Sequence, residues 1–599
     1  MALRSKRIGA SQRLSRIKVG VFLLGIIGLF GAVVARAVEL QVMNHDEYQE
    51  LAQSQHFREY ALQGERGEIF FRDLKTGGLF PVAINRTLYD IAIDPKMLAG
   101  QSEEHNLNLK QSFQNLIEGF DSADFDRKRA KTNDQWELIA RDIPEETVQE
   151  LQAQGFKGVV YEDKKERYYP EKNLASQVIG YVRRDDLRSG QYGVEQSYND
   201  ILRGEDGFER KESDTRGTWL ALTERERQDA QEGADLVLTL DHTIQFKLEE
   251  VLTRLDEQFN AKSVMGAIMN PDTGDIYAMG SSPSFDPNEY NKVEDIQVFR
   301  NPFVSNVYEP GSVFKPFTVG LGLEYDVITP DSTYVDTGEV TLNGFTIKNS
   351  LEKVHGEQTM TYALDFSLNT GMVHIQQLLG RQRFTTGLIE AFGMEEKTGI
   401  DLPGEGQPNF ANIQKDPRDA RDVNYATASF GQGVSTTPIK MLTAFSSIVN
   451  DGVMMKPRVV KEIRYPDGTV EERAPEEVRQ VLSKEAAGEL AAMLVSVVDN
   501  GHGKKAGIEG YSIGGKTGTA QIASIGGYGD DTFQSFIQFA TLEDTRYTLL
   551  ISIDSPQGAR FSDQSVVPAT RELNEFLVNY FEIEPDTLDQ NKQDEANSD

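Results

Sequence analysis

Ser312 and Lys315 stand three residues apart in the stretch Glu309-Pro310-Gly311-Ser312-Val313-Phe314-Lys315. Pro310 and Gly311 break whatever precedes them, and Phe314, Phe317 and Leu321 then recur at helical spacing, which predicts Ser312 on the first turn of a helix. Residues three apart share a helix face, so Lys315 lies beside the Ser312 hydroxyl. A deprotonated amine there can take the proton of an attacking alcohol, and the free N–H groups of a helix start favour a developing oxyanion. A lone Ser-x-x-Lys is weak, because a capping serine followed by a solvated lysine reads the same way. The assignment depends on what accompanies it.

Two further segments carry polar groups suited to the same chemistry. In Asp365-Phe366-Ser367-Leu368-Asn369-Thr370-Gly371, the Ser367 hydroxyl and the Asn369 amide lie two residues apart, so they point the same way only from an extended or loop conformation. Each could hydrogen-bond a substrate amide or relay a proton. In Lys516-Thr517-Gly518-Thr519, on a predicted strand, Lys516 and Gly518 share one face, and Gly518 allows another backbone to approach closely. A fixed cation with adjacent hydroxyls suits a carboxylate ligand. The same residues allow a rival reading, since Gly510 to Thr517 satisfies the phosphate-loop pattern G-x-x-x-x-G-K-[ST]. That loop requires a helix after the lysine, whereas β-like sequence follows here.

The elements that must position these groups sit in a long, acidic chain. Its 599 residues allow several domains and a large core, and 94 acidic against 62 basic residues leave a formal net charge of -32. A nucleic-acid partner is not expected, because it would require a basic face. The chain has no cysteine, which removes disulfides, thiolate metal sites and a thiol nucleophile. The seven histidines (His45, His56, His105, His242, His355, His374 and His502) form no metal-hydrolase pattern, so no metal is expected.

Residues 1–18 are basic and contain no acid, and Val19 to Ala35 follow as an apolar run. Seventeen helical residues cover roughly 26 Å, close to a bilayer core once the flanks are added, so 19–38 is read as a transmembrane anchor. The basic flank would stay in the cytoplasm and the rest of the chain outside. Ala35-Arg36-Ala37 leaves open a cleaved signal peptide instead. Residues 39–235 mix short β-like pieces with polar helices such as Glu145 to Gln154, and read as a non-catalytic pedestal or dimerisation-type domain. From 236 the texture changes: Leu236 to Leu240 is a strand, Asp241 caps a helix from Ile244 to Phe259, and Val264 to Met269 and Asp275 to Met279 form a hairpin. A mostly helical stretch, the helix Ser483 to Val498, three strands (Tyr511 to Ile522, Phe533 to Ala540, Arg546 to Ile553) and a closing helix follow. The expected fold is α/β of the α+β type, one antiparallel sheet between layers of helices over 236–581. Residues 582–599 read as an acidic disordered tail.

In this order, and at spacings of roughly 55 and 150 residues, Ser312-x-x-Lys315, Ser367-x-Asn369 and Lys516-Thr517-Gly518 resemble the three motifs of penicilloyl serine transferases. The anchor, the large pedestal and Glu309-Pro310-Gly311 are similar to class B penicillin-binding proteins, the cell-division transpeptidase branch in particular. Arg66-Gly67, Arg167-x-Tyr169-Pro170 and the glycines before Glu195 resemble motifs of that family's pedestal, although Phe71 stands where the family often has Asp.

The resemblance implies a peptidoglycan D,D-transpeptidase of septal wall synthesis in the cytoplasmic membrane, inhibited by β-lactams. It implies Ser312 as nucleophile, Lys315 as base, Ser367 and Asn369 as proton relay and substrate clamp, and Lys516, Thr517, Gly518 and Thr519 around the terminal carboxylate. It further implies an oxyanion hole from the Ser312 and Thr519 N–H groups, no cofactor, peptidoglycan stem peptides as substrates, and partnership with a polytopic glycosyltransferase and division proteins. A D,D-carboxypeptidase, a β-lactam sensor or β-lactamase, and a catalytically silent division scaffold stay open on the same fold.

Overall fold

The computed structural model describes residues 7–44, 57–62, 64–184, 186–212, 226–415, 419, 421–524, 527–540 and 546–586. Positions 1–6 of the basic segment and 587–599 of the expected tail lie outside the described residues. Contacts divide the chain into two compact units, Met1–Gly64 with Gly204–Glu232, and Glu65–Arg203 with Gly233–Asp599.

In the first unit, the helix Arg7–Val38 continues into a wider turn, Glu39–Met43. Lys18–Met43 is long and apolar enough to cross a membrane. Phe57–Leu62, Gly207–Glu212 and Glu226–Gln228 form a three-stranded antiparallel sheet with the 207–212 strand in the centre.

The second unit is built around the expected antiparallel sheet. Its five strands run in the order Ile276–Ser282, Ser263–Met269, Thr548–Asp554, Gly527–Ala540, Ile513–Ser524. Alternation along each strand supplies two apolar faces. Val264, Ile268, Leu549, Ile551 and Phe536 pack with Leu248 and Leu252 of the helix His242–Phe259 and with Leu573 and Leu577 of the closing helix Val566–Tyr580. Met265, Ala267, Leu550, Ile537 and Phe539 face the other way, into the cluster holding Phe314, Phe317 and Leu490 of the middle helices. Each fully buried side chain of this kind is worth ~1.5–3 kcal/mol, so the sheet is held from both sides.

Local signals explain the element ends. Asp241 caps the first helix by accepting from the N–H groups of Thr243 and Ile244 at 2.9 Å, and its other oxygen accepts from the Tyr580 hydroxyl at 2.6 Å, tying the closing helix to the cap. Asn270 turns the hairpin by accepting from the backbone N–H groups of Asp272 and Thr273, with Gly274 at φ +76°.

Two features depart from the sequence expectation. The stretch expected to be mostly helical also holds the two-stranded pairs Thr333–Asp336 with Gly356–Thr359, Glu339–Leu342 with Phe345–Lys348, and Val453–Met455 with Glu477–Gln480. Runs of three or four residues are too short to carry an alternation that can be read from sequence. The second lies at the 235/236 boundary, where the strand Asp235–Asp241 pairs in parallel with Ile69–Arg72 and antiparallel with Val460–Arg464. One sheet thus takes strands from both sides of that position. Phe71, the departure from the pedestal pattern, is fully buried in the main core. At the other end, Ile583 and Asp586 accept from the Tyr511 hydroxyl at 3.1 Å and the Ser512 N–H at 2.6 Å.

Candidate active site

Ser312 lies on a single 3-10 turn, Gly311–Phe314, that runs directly into the helix Lys315–Glu324. Gly311 has φ +59°, which a side chain would strain, and donates its N–H to the Gly431 carbonyl at 3.0 Å. A β-carbon at 431 would sit 2.3 Å from the Gly311 carbonyl oxygen. The turn bearing Ser312 is therefore pressed between the Gly431 segment and the strand Ile513–Ser524, where Ala520 and Gly518 receive it.

The Lys315 side chain is fully buried. Its Nζ donates to the Ser367 carbonyl at 2.5 Å and to the Ser367 Oγ at 2.9 Å. Burial, reinforced by the positive charge of Lys516, holds this amine well below the usual lysine range. A neutral amine one helical turn from a serine is what a base for that serine requires. Ser367 occupies a left-handed conformation, φ +56°, between the helices Met360–Asp365 and Asn369–Thr386. This loop between helices is one of the two conformations that Ser367-x-Asn369 allowed. Asn369 begins the next helix and donates its side-chain amide to the Lys348 carbonyl at 2.9 Å.

Lys516 is also fully buried, mid-strand, opposite Ile537. Its Nζ donates to the Thr517 carbonyl at 3.2 Å and lies 3.4 Å from the Thr517 Oγ1. Burial brings it down to about 7, against an opposing pull from Asp365. The strand continues through Lys516 to Ser524, so the helix that a phosphate loop needs is missing and the nucleotide reading is excluded. Among the described residues Ile513–Ser524 is the edge strand of its sheet, which leaves one row of its backbone groups without a ladder partner there.

A cavity of about 800 Å³ brings the three motifs together: Ser312, Ser367, Asn369, Thr517 and Thr519 all line it, with Gln432 and His502. Lys315, Lys516 and Gly518 are not on its wall. The two amines are buried beneath it, and Gly518 packs on Val313. Among the described residues no cluster of His, Cys, Asp and Glu could hold a metal.

Sequence reasoning passed over three parts of this site. Gly431-Gln432-Gly433 supports the nucleophile turn, and its two glycines were the available signal for close backbone approach. His502, between Gly501 and Gly503, reaches the cavity from the turn after the helix Lys484–Asp499. Burial and the charges of Lys516 and Lys315 push its ring down to about 4. Asp365 is buried at the end of a short helix, where only its acidic character among apolar neighbours marked it.

Remote from the cavity, the pedestal motifs converge on one buried carboxylate. Glu195 accepts from Arg66 Nε at 2.8 Å, Arg167 Nε at 2.9 Å and the Tyr169 hydroxyl at 3.2 Å.

Comparison with known proteins gives the same picture. The family description "Penicillin binding protein transpeptidase domain" matches residues 264–575, and "Penicillin-binding Protein dimerisation domain" matches 61–238. Stage V sporulation protein D of Bacillus subtilis is 30% identical over 557 residues, 91% of this chain and 83% of its own. The "Peptidoglycan D,D-transpeptidase FtsI homolog" of Mesostigma viride is 29% identical over 472 residues, 75% of this chain and 78% of its own. The crystal structure of Penicillin Binding Protein 2X from Streptococcus thermophilus superposes with a TM-score of 0.74 at 22% identity, covering 87% of this chain and 80% of that one, a likeness of fold.

Proposed function

This chain belongs to the penicillin-binding protein transpeptidases, and on that premise we propose that it cross-links peptidoglycan stem peptides through an acyl-enzyme on Ser312. The observation that carries the reading is the buried Lys315 amine, held beneath the shared cavity by Ser367 and one helical turn from Ser312.

Ser312 Oγ attacks the carbonyl of the penultimate D-Ala while its proton passes to Lys315 Nζ. The backbone N–H groups of Ser312 and Thr519 receive the oxyanion, each such donor typically worth about 3 kcal/mol. The carbon–nitrogen bond breaks, and the terminal D-Ala leaves as an amine with a proton relayed through Lys315 and Ser367. An amine of a second stem then attacks the ester, forms the new amide and returns a proton to Ser312. Thr517 and Thr519 bind the terminal carboxylate with the Lys516 charge beneath them, and Gly518 keeps the strand against the nucleophile turn. The donor stem lies along the free edge of Ile513–Ser524 and is held by the Asn369 amide. No metal or organic cofactor enters these steps.

The apolar helix Lys18–Met43 anchors the enzyme as a single span with the catalytic unit outside the cytoplasm, 39–235 serves as its pedestal, and the reaction serves septal wall synthesis beside a polytopic glycosyltransferase. A fluorescent penicillin tests the chemistry. Wild type should label covalently, Ser312→Ala should not, and Lys315→Ala should label orders of magnitude more slowly. Equal labelling of Ser312→Ala would refute the assignment. Release of D-Ala with cross-linked product, rather than D-Ala alone, separates the transpeptidase from a carboxypeptidase.

A further inference from the structure

Two buried amines share the floor of this site, and the reaction needs them in opposite states: Lys315 neutral to accept a proton, Lys516 charged to hold a carboxylate. Both are fully buried lysines that repel each other as cations, so burial alone does not decide which one keeps the proton. Something must break the symmetry.

We propose that Asp365 is a positioning residue of the reaction, whose buried carboxylate keeps the shared proton on Lys516 and so leaves Lys315 free as the base. The inference rests on the transferase reading above and adds a residue to it. Asp365 is 5% exposed and ends the helix Met360–Asp365, two residues before the Ser367 that holds Lys315. One of its oxygens accepts from the Ser496 hydroxyl at 3.0 Å, and the other is buried with no hydrogen-bond partner. A carboxylate left half-satisfied in the interior is costly unless a cation compensates it. Lys516, buried on the strand that packs against the same helix as Asp365, is the cation placed to do so. Ser496 fixes the geometry, because its helix Lys484–Asp499 packs on both the Asp365 helix and the Lys516 strand.

The turn after that helix completes the enclosure. The His502 N–H donates to the Asp365 carbonyl at 3.2 Å, and a β-carbon at Gly501 would lie 2.3 Å from that same oxygen. The other charges acting here are Asp499 on Asp365, and Asp563 and Lys353 on His502. Burial pushes Asp365 up to about 6, with Ser496 and Lys516 opposing, so near neutral pH its negative charge is present to act on Lys516.

The test is the pH profile of penicillin acylation of the full chain, with unfolding temperature measured alongside. Acylation should fall at low pH, as Asp365 and Lys315 gain protons, and at high pH, as Lys516 loses one. In Asp365→Asn the alkaline limb should move down by about one pH unit, with acylation at pH 8 about tenfold slower, and Asp365→Glu should restore most of it. Ser496→Ala removes the donor that favours the ionised carboxylate, so its acidic limb should move up. Wild-type limb positions in Asp365→Asn, with only a uniform loss of rate, would overturn the inference and leave a structural role. Should Asp365→Asn fail to fold, an unmoved acidic limb in Ser496→Ala overturns it instead. Absence of labelling in the wild type at every pH would overturn the transferase reading itself.

Discussion

Gly518 and Val313 meet so closely that a β-carbon at position 518 would lie 2.9 Å from Val313 Cγ1, with the Val313 nitrogen at 3.3 Å and the Pro310 carbonyl oxygen at 3.4 Å. Val313 is fully buried and β-branched, so it cannot swing aside. The turn bearing Ser312 thus rests directly on the strand bearing Lys516.

Replacing this glycine should therefore act on catalysis through position. Gly518→Ala should slow acylation by about 10–100-fold, as expected when reacting groups shift by a fraction of an ångström to an ångström. The overpacking should cost about 1–3 kcal/mol of stability. Second-order acylation rates and denaturant unfolding measure the two effects, and wild-type values in both would contradict the close contact.

Lys315 should dominate the acid side of the pH–rate profile. Burial and the Lys516 charge lower its proton affinity, so acylation should rise as pH increases through that lowered value and not wait for the usual lysine range. Lys315→Ala should lose about 10²–10⁴-fold in acylation. Stability carries the opposite imprint. An unfolded lysine holds its proton where the folded one does not, so stability rises with pH between the folded value and the ordinary 10.5, and the substitution should remove that slope.

Glu195 should be a stability residue, without effect on the chemistry of labelling. Burial alone would raise its carboxyl, but Arg167 and Arg66 hold it below the ordinary range. A carboxylate with a lowered value stabilises above its unfolded pKa, and that contribution is lost as pH falls through the folded one. Glu195→Ala strands two buried guanidinium groups and should cost about 3–5 kcal/mol, read by thermal or denaturant unfolding.

Glu249 should behave in the reverse sense. Burial pushes it up to about 7, partly offset by the Ala175 N–H and Gln245 amide that donate to it at 2.6 and 2.7 Å. The folded protein then binds a proton that the unfolded chain has released, so this group costs stability as pH rises from the ordinary 4.5 to about 7. Glu249→Gln should flatten that slope and raise stability at pH 8 by about 1–3 kcal/mol. An unchanged slope in unfolding free energy against pH would count against it.

The candidate site was legible before the fold because its signals are local. Ser312 with Lys315, Ser367 with Asn369, and Lys516 with Gly518 each lie within a few residues, where helix, loop and strand geometry already decide which groups share a face. Apolar runs, a turn signal and a cap likewise announced the five-stranded sheet and its two flanking helices, since Asp241 and Asn270 act on their own neighbours. The short strand pairs between 333 and 480 escaped notice because they are brief and specified by partners as much as 27 positions away, as Val453 and Gln480 are.

By itself, then, the order of residues marked out Ser312 as candidate nucleophile, Lys315 as candidate base, Lys516 to Thr519 as a candidate carboxylate site and the apolar span, because each is written in contiguous residues. Only the tertiary structure decided that Lys315 and Lys516 lie buried beneath one cavity, that His502 joins its wall, and that the elements carrying Asp365 and Lys516 pack on one helix. Those relations depend on segments more than a hundred residues apart, and the proton affinities they set come from desolvation and neighbouring charge, which no stretch of sequence carries alone.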